Sequence, residues 1–182
     1  MVSLKKVEKY HRKKKGIPRI VKSTIGRDEI IYGARALNVR FPPHLDKPTT
    51  DYDVFSHAPK KDALQAERAL DKKFGGDYFK THPAKHKGTY KVRSNVTGEG
   101  YADFTKPEGR VPFDRIGGKK YATLGWHKMR IKKVLADPDS AYRHDKDRDA
   151  RNRIRIYEEK YKGKKKKKRG GKIVRLARMV GG

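Results

Sequence analysis

The chain has 182 residues, 49 of them Lys or Arg against 21 Asp or Glu, for a formal net charge of +28; hydrophobic residues make up 34% and cysteine is absent. That length suits one domain of ordinary size with some chain left for tails. The charge asks for a polyanion, nucleic acid ahead of an anionic membrane because no long apolar run or acylation signal is present, and the missing cysteines exclude a disulfide framework and a thiolate metal site.

Residues 1–22 carry nine Lys/Arg against Glu8 and read as a basic arm. They lack the apolar run of a secretory signal. Leu4, Val7 and His11 fall at helical spacing, and Gly16 and Pro18 end that helix. Glu29-Ile30-Ile31-Tyr32 reads as a short strand running into Gly33. Ala34 to Phe41 holds helix formers for two turns, and Pro42-Pro43 stops them. A loop to Pro48 leads to a second strand, Asp51 to Phe55. Lys60 to Phe74 is the clearest helix, with Ala63, Leu64, Ala66, Leu70 and Phe74 as its apolar stripe and Gly75-Gly76 as its stop. A strand is expected at 77–81. Thr89 to Asn95 and Tyr101 to Thr105 form a hairpin around Thr97-Gly98-Glu99-Gly100. Val111 to Ile116 and Lys120 to Leu124 flank Gly117-Gly118 as a smaller hairpin. Gly125 to Leu135 is helical, Asp137-Pro138-Asp139-Ser140 breaks it, and a long helix runs on to about Tyr161. A low-complexity basic stretch follows, then a small basic amphipathic segment, Ile173 to Met179. The fold class is α+β, a small mixed and mostly antiparallel sheet with packed helices. The boundaries fall as a basic arm 1–22, a central domain 23–161 and a Lys/Gly-rich tail 162–182.

The chemistry sits in Thr49-Thr50-Asp51-Tyr52-Asp53-Val54-Phe55. On a strand, residues i and i+2 share a face, so Asp51 and Asp53 aim together while Tyr52 and Val54 point away. Two carboxylates that close repel unless a cation lies between them. Magnesium is the natural cation, since it takes oxygen ligands and binds phosphates as well. Asp103, bracketed by apolar residues on its own strand, is the candidate third carboxylate. Gly33 follows a strand and precedes a short helix, a turn that can present N–H groups to phosphates. The seven histidines (His11, His44, His57, His82, His86, His127 and His144) show no zinc spacing. His82 and His86 flank a proline-containing loop, solvated or facing phosphate. Trp126 and Tyr121 read as core, and Tyr90 and Tyr101 as a cross-strand pair, with base stacking as the other role open to them.

Gly33, Ala36-Leu37 and Thr50-Asp51-Tyr52-Asp53, in that order, resemble the nucleotidyltransferase superfamily that includes polymerase beta. Within it the likeness is to the AbiEii-type toxins, over roughly residues 28–157. That family runs strand, glycine turn, short helix, then Ser-x-Asp-hydrophobic-Asp, followed by a helical lysine and a later Arg/Lys-Asp-x-x-Asp stretch. Lys128 and Arg143-His144-Asp145-Lys146-Asp147-Arg148-Asp149 stand in those later places. The resemblance implies that Gly33, Ala34, Arg35 and Lys128 lie at the nucleotide's phosphates and that Lys146 and Asp147 line the same cleft. It implies that Asp51, Asp53 and Asp103 hold Mg2+ and carry catalysis. Two positions depart from the pattern. Ala34 replaces a glycine or serine, and Arg35 replaces a threonine. Arg35 then either binds phosphate or plugs the pocket through Asp51 or Asp53.

The expected activity is Mg-dependent transfer of a nucleoside monophosphate from an NTP to a nucleic-acid or protein acceptor. Lys13, Lys14 and Lys15, with Lys164, Lys165, Lys166, Lys167, Lys168, Arg169, Arg175 and Arg178, are expected to bind nucleic acid without sequence preference, RNA ahead of DNA. The alternative is a catalytically degenerate relative serving as a structural component of a virion or ribonucleoprotein assembly. A toxin neutralised by an antitoxin follows from the family likeness alone. The expected location is the cytoplasm or the inside of a nucleoprotein particle, with no membrane partner.

Overall fold

A computed structural model describes residues 3–162. The chain divides into two compact units, one built from residues up to Arg40 and from Lys47–Trp126, the other from Phe41–Asp46 and the residues after Trp126.

The first unit begins with helices α1 (Leu4–Lys13) and α2 (Ile17–Thr24), joined by a 3-10 turn. Ser3 caps α1 by accepting from the Lys6 amide. Strand β1 (Ile30–Tyr32) runs into the short helix α3 (Gly33–Asn38), and β2 (Tyr52–Phe55) leads to α4 (Pro59–Phe74). Proline opens α4, and Gly75 closes it in the left-handed region, φ 75°, where a side chain would be strained. Strands β3 (Phe79–Pro83), β4 (Thr89–Ser94), β5 (Gly100–Thr105), β6 (Phe113–Ile116) and β7 (Lys119–Ala122) follow. Together they make one seven-stranded sheet in the order β3-β4-β5-β2-β1-β7-β6. The β2–β5 and β1–β7 pairs are parallel, and the remaining pairs are antiparallel. The architecture is therefore α+β with a mostly antiparallel sheet.

Alternation explains which face is covered. Ile31, Val54, Val92, Ala102 and Phe104 are fully buried and share one core with Ala63, Ala66, Leu70 and Phe74 of α4. Tyr10, Ile17 and Val21 from the first two helices lie in the same core, each 0% exposed. The segment expected as a basic arm thus contributes apolar side chains to the domain through residues 4–24. Its lysines have local work: Lys13 Nζ donates to the Lys73 carbonyl at 3.0 Å, and Lys6 Nζ donates to the Asp77 carbonyl. A cation placed on the last carbonyls of α4 complements that helix terminus.

Glu29, 9% exposed, accepts from the Gly26 amide and shares a hydrogen bond with Asp62. Burial, with the neighbouring Asp62 carboxyl, pushes the Glu29 carboxyl up to about 7, while the Gly26 amide and Lys119 pull the other way.

In the second unit, the last part of α5 (Leu124–Ala136) is followed by a 3-10 turn at Pro138–Arg143, α6 (His144–Tyr157) and a π-helical turn at Glu158–Lys162. The single long helix expected there is thus three pieces. Asp137 caps the break by accepting from the Asp139 amide and the Ser140 hydroxyl, which hold its carboxyl below the usual range. Phe41 packs on Tyr157, and Arg153 donates to the Leu45 carbonyl. Among the described residues no helix is long and apolar enough to cross a membrane.

Candidate active site on the second face of the sheet

Tyr52 and Val54 point into the core, so Asp53 projects from the opposite face of β2. The register carries this position across the sheet. Tyr32 of β1 stands opposite Asp53, Asp53 stands beside Asp103 of β5, and Asp103 stands opposite Lys91 of β4. The parallel β2–β5 pairing sets the two carboxylates side by side. Asp51 precedes β2 by one residue and accepts from the Thr49 hydroxyl.

Gly33 has φ +68°, and a Cβ built on it would fall 2.1 Å from Asp53 Oδ2. The glycine is required twice, by its backbone conformation and by the carboxylate lying against it. The space a side chain would fill adjoins Asp53, so the turn's main chain sits beside a carboxylate.

Arg35 grips main chain. Its Nη2 donates to the Thr49 carbonyl at 2.8 Å and its Nε to the Asp51 carbonyl at 3.2 Å. The guanidinium lies over the Tyr52 ring, 4.5 Å from the centroid. Burial pushes the Tyr52 phenol up, and Arg35 opposes that shift. These contacts fix the segment that carries Asp51 into β2. Ala34 lies beside Gly33 in α3 and is partly exposed.

Asp103 is ion-paired with Lys91. The lysine carries no motif; only the β4–β5 register reveals it. Among the described residues no three His, Cys, Asp or Glu side chains gather as a metal-holding group. The carboxylates that could hold a hard cation here are Asp53, which lies against Gly33, and Asp51, two residues before it in the chain. Magnesium commonly takes one or two carboxylates and completes its shell with water and substrate phosphate.

The same face carries an aromatic group around Trp126, a residue expected in the core. Tyr32 and Phe55 stack with centroids 4.1 Å apart, and Trp126 meets both edge-on at 5.9 and 5.4 Å. All three are partly exposed. The Tyr32 hydroxyl lies 3.3 Å from Thr105 Oγ1, two residues beyond Asp103. Tyr101 instead turns into the core and hydrogen-bonds Tyr10, while Tyr90 pairs with Phe104.

Lys128, Lys146 and Asp147 belong to the second unit. Lys128 pairs with Glu158 at 3.0 Å, and Lys146 is exposed. Asp147 is 3% exposed and receives the Arg143 Nε at 2.9 Å, with Arg130 at 3.9 Å. Lys14 meets Glu99 at 3.6 Å, and Lys15 is exposed. Lys164 to Arg169, Arg175 and Arg178 lie outside the described residues.

The seven-stranded sheet, its helices and the glycine turn against Asp53 make a fold that a solved protein shares. A solved structure that shares it is the crystal structure of the Megavirus polyadenylate synthase. The two match with a TM-score of 0.64 and 23% sequence identity over 79% of this chain, which covers 31% of that protein. The likeness is one of fold alone. No family model and no curated protein matches the sequence.

Proposed function

We propose that this protein transfers a nucleoside monophosphate from an NTP to a hydroxyl on a nucleic acid. The observation that carries the reading is the close approach of Asp53 to Gly33, with Asp51 two residues before it in the chain. Asp51 and Asp53 are the residues that would hold Mg2+, which, when bound, neutralises triphosphate charge and makes the acceptor hydroxyl more acidic. The turn at Gly33 supplies main-chain N–H groups to the phosphates. Arg35 holds the Asp51 segment in register against the Tyr52 ring. Asp103, once Lys91 releases it, takes the acceptor's proton as the hydroxyl oxygen bonds to the α-phosphorus and pyrophosphate departs. The activity named for the structural neighbour, polyadenylate synthesis, belongs to the same kind of chemistry. The AbiEii-type likeness rests on motif order alone and adds a protein or tRNA end to the acceptors worth testing.

The Lys91–Asp103 ion pair favours a second reading. A lysine seated on the third carboxylate suits a fold that has given up catalysis and serves as a basic structural component inside a nucleoprotein particle. Label transfer from each of the four α-labelled NTPs, with magnesium and total RNA, separates the two. Label that appears with the wild type and vanishes in Asp51→Ala/Asp53→Ala establishes the reaction and sizes its acceptor. Equal, salt-sensitive RNA binding by both proteins with no transfer by either establishes the structural reading.

A further inference from the structure

We propose that the outer face of β3 and β4 is a track for the phosphodiester backbone of an RNA strand, leading to Asp103. Its direction rests on the proposed reaction; its binding does not.

The β3–β4 register sets Lys80 opposite Arg93 and His82 opposite Lys91. Alternation puts these four on the face opposite Phe79, Val92 and Ser94, which are buried. Lys80, His82 and Arg93 are exposed and Lys91 partly so. Two like-charged residues directly opposite each other destabilise a strand pair. The Lys80–Arg93 pair is such an arrangement, and no carboxylate pairs with either among the described residues. Lysine on an edge strand guards against strand-to-strand association, which accounts for Lys80 on β3. It does not account for Arg93 or Lys91, because β4 is an inner strand between β3 and β5. The turn joining the two strands adds Lys85 and Lys87, both exposed.

The block is continuous with the carboxylates. Lys91 is paired in register with Asp103, and Asp103 with Asp53, so one cross-sheet row passes from cation to acid. A strand held on the cations by its phosphates would present its terminal hydroxyl at the carboxylate end. The phosphates would also compete with Asp103 for Lys91 and so free that carboxylate. Such recognition carries no base information.

The test is binding of a labelled single-stranded RNA oligomer to the full chain, by fluorescence anisotropy across a salt series. The proteins are the wild type, Lys80→Gln/Arg93→Gln, and a charge-matched control, Lys132→Gln/Lys133→Gln, on exposed positions of α5. Each single-strand phosphate contact contributes roughly 0.7 to the slope of log Kobs against log salt. The Lys80/Arg93 variant is expected to flatten that slope by about 1.4, two contacts' worth, with the control unchanged. An unchanged slope in the Lys80/Arg93 variant, or an equal loss in both variants, overturns the track. The label-transfer experiment fails separately. Transfer with an unchanged slope keeps the reaction and removes the track, and a flattened slope without transfer does the reverse.

Discussion

At Gly33 a single missing side chain serves two purposes. The left-handed backbone, φ +68°, strains any L residue, and the Cβ position meets Asp53 Oδ2 at 2.1 Å. Gly33→Ala is expected to cost on the order of 1–3 kcal/mol in denaturant unfolding. Transfer activity should fall further than that stability loss explains, since Asp53 must swing away from its place. The glycine turn and the outward face of Asp53 were legible because their signals are local: a glycine after a strand, and alternation along Tyr52–Phe55. Arg35 was legible as an anomaly but not as a clamp. Its acceptors are main-chain carbonyls, which leave no trace in side-chain identity. Lys91 was invisible for a different reason: its partner lies 12 residues away, across a hairpin whose register the turn residues do not fix.

Among the elements, the N-terminal helices depart furthest from what composition suggests. Nine basic residues in residues 1–22 mask a buried stripe of Tyr10, Ile17 and Val21. Tyr10 packs against Phe74 and Phe79, and its hydroxyl bonds to Tyr101 and Thr97. Tyr10→Ala should therefore cost about 3–5 kcal/mol, the range for deleting a buried aromatic ring, read as a lower urea midpoint. A dispensable arm would show no change. Helix α4 and the β4–β5 and β6–β7 hairpins were readable, because an apolar stripe with a glycine stop, and glycine turns between short strands, are local signals. The parallel β2–β5 and β1–β7 pairs were not. They join strands about fifty and ninety residues apart, and nothing in either strand names its partner.

For the whole molecule, the buried Glu29, hydrogen-bonded with Asp62, links stability to pH. The folded-state Glu29 carboxyl is raised from 4.5 to about 7, so the folded protein keeps a proton that the unfolded chain has lost. The stabilisation is full below the unfolded value and disappears as pH rises through about 7. Denaturant midpoints should fall between pH 4.5 and about 7, by a free energy on the order of 1–3 kcal/mol. Glu29→Gln, which keeps a hydrogen-bonding amide without a titrating group, should flatten that profile; an unaltered profile assigns the dependence elsewhere. The strand order carries a last consequence, in time. β1 is three residues long and needs β2 on one side and β7 on the other, and β7 begins at Lys119. Translation at roughly 5–20 residues per second separates those partners by on the order of ten seconds. Throughout that interval the ribosome-bound chain exposes an open edge at the strand that delivers Gly33. The sheet beside Gly33 closes only once β7 has been made.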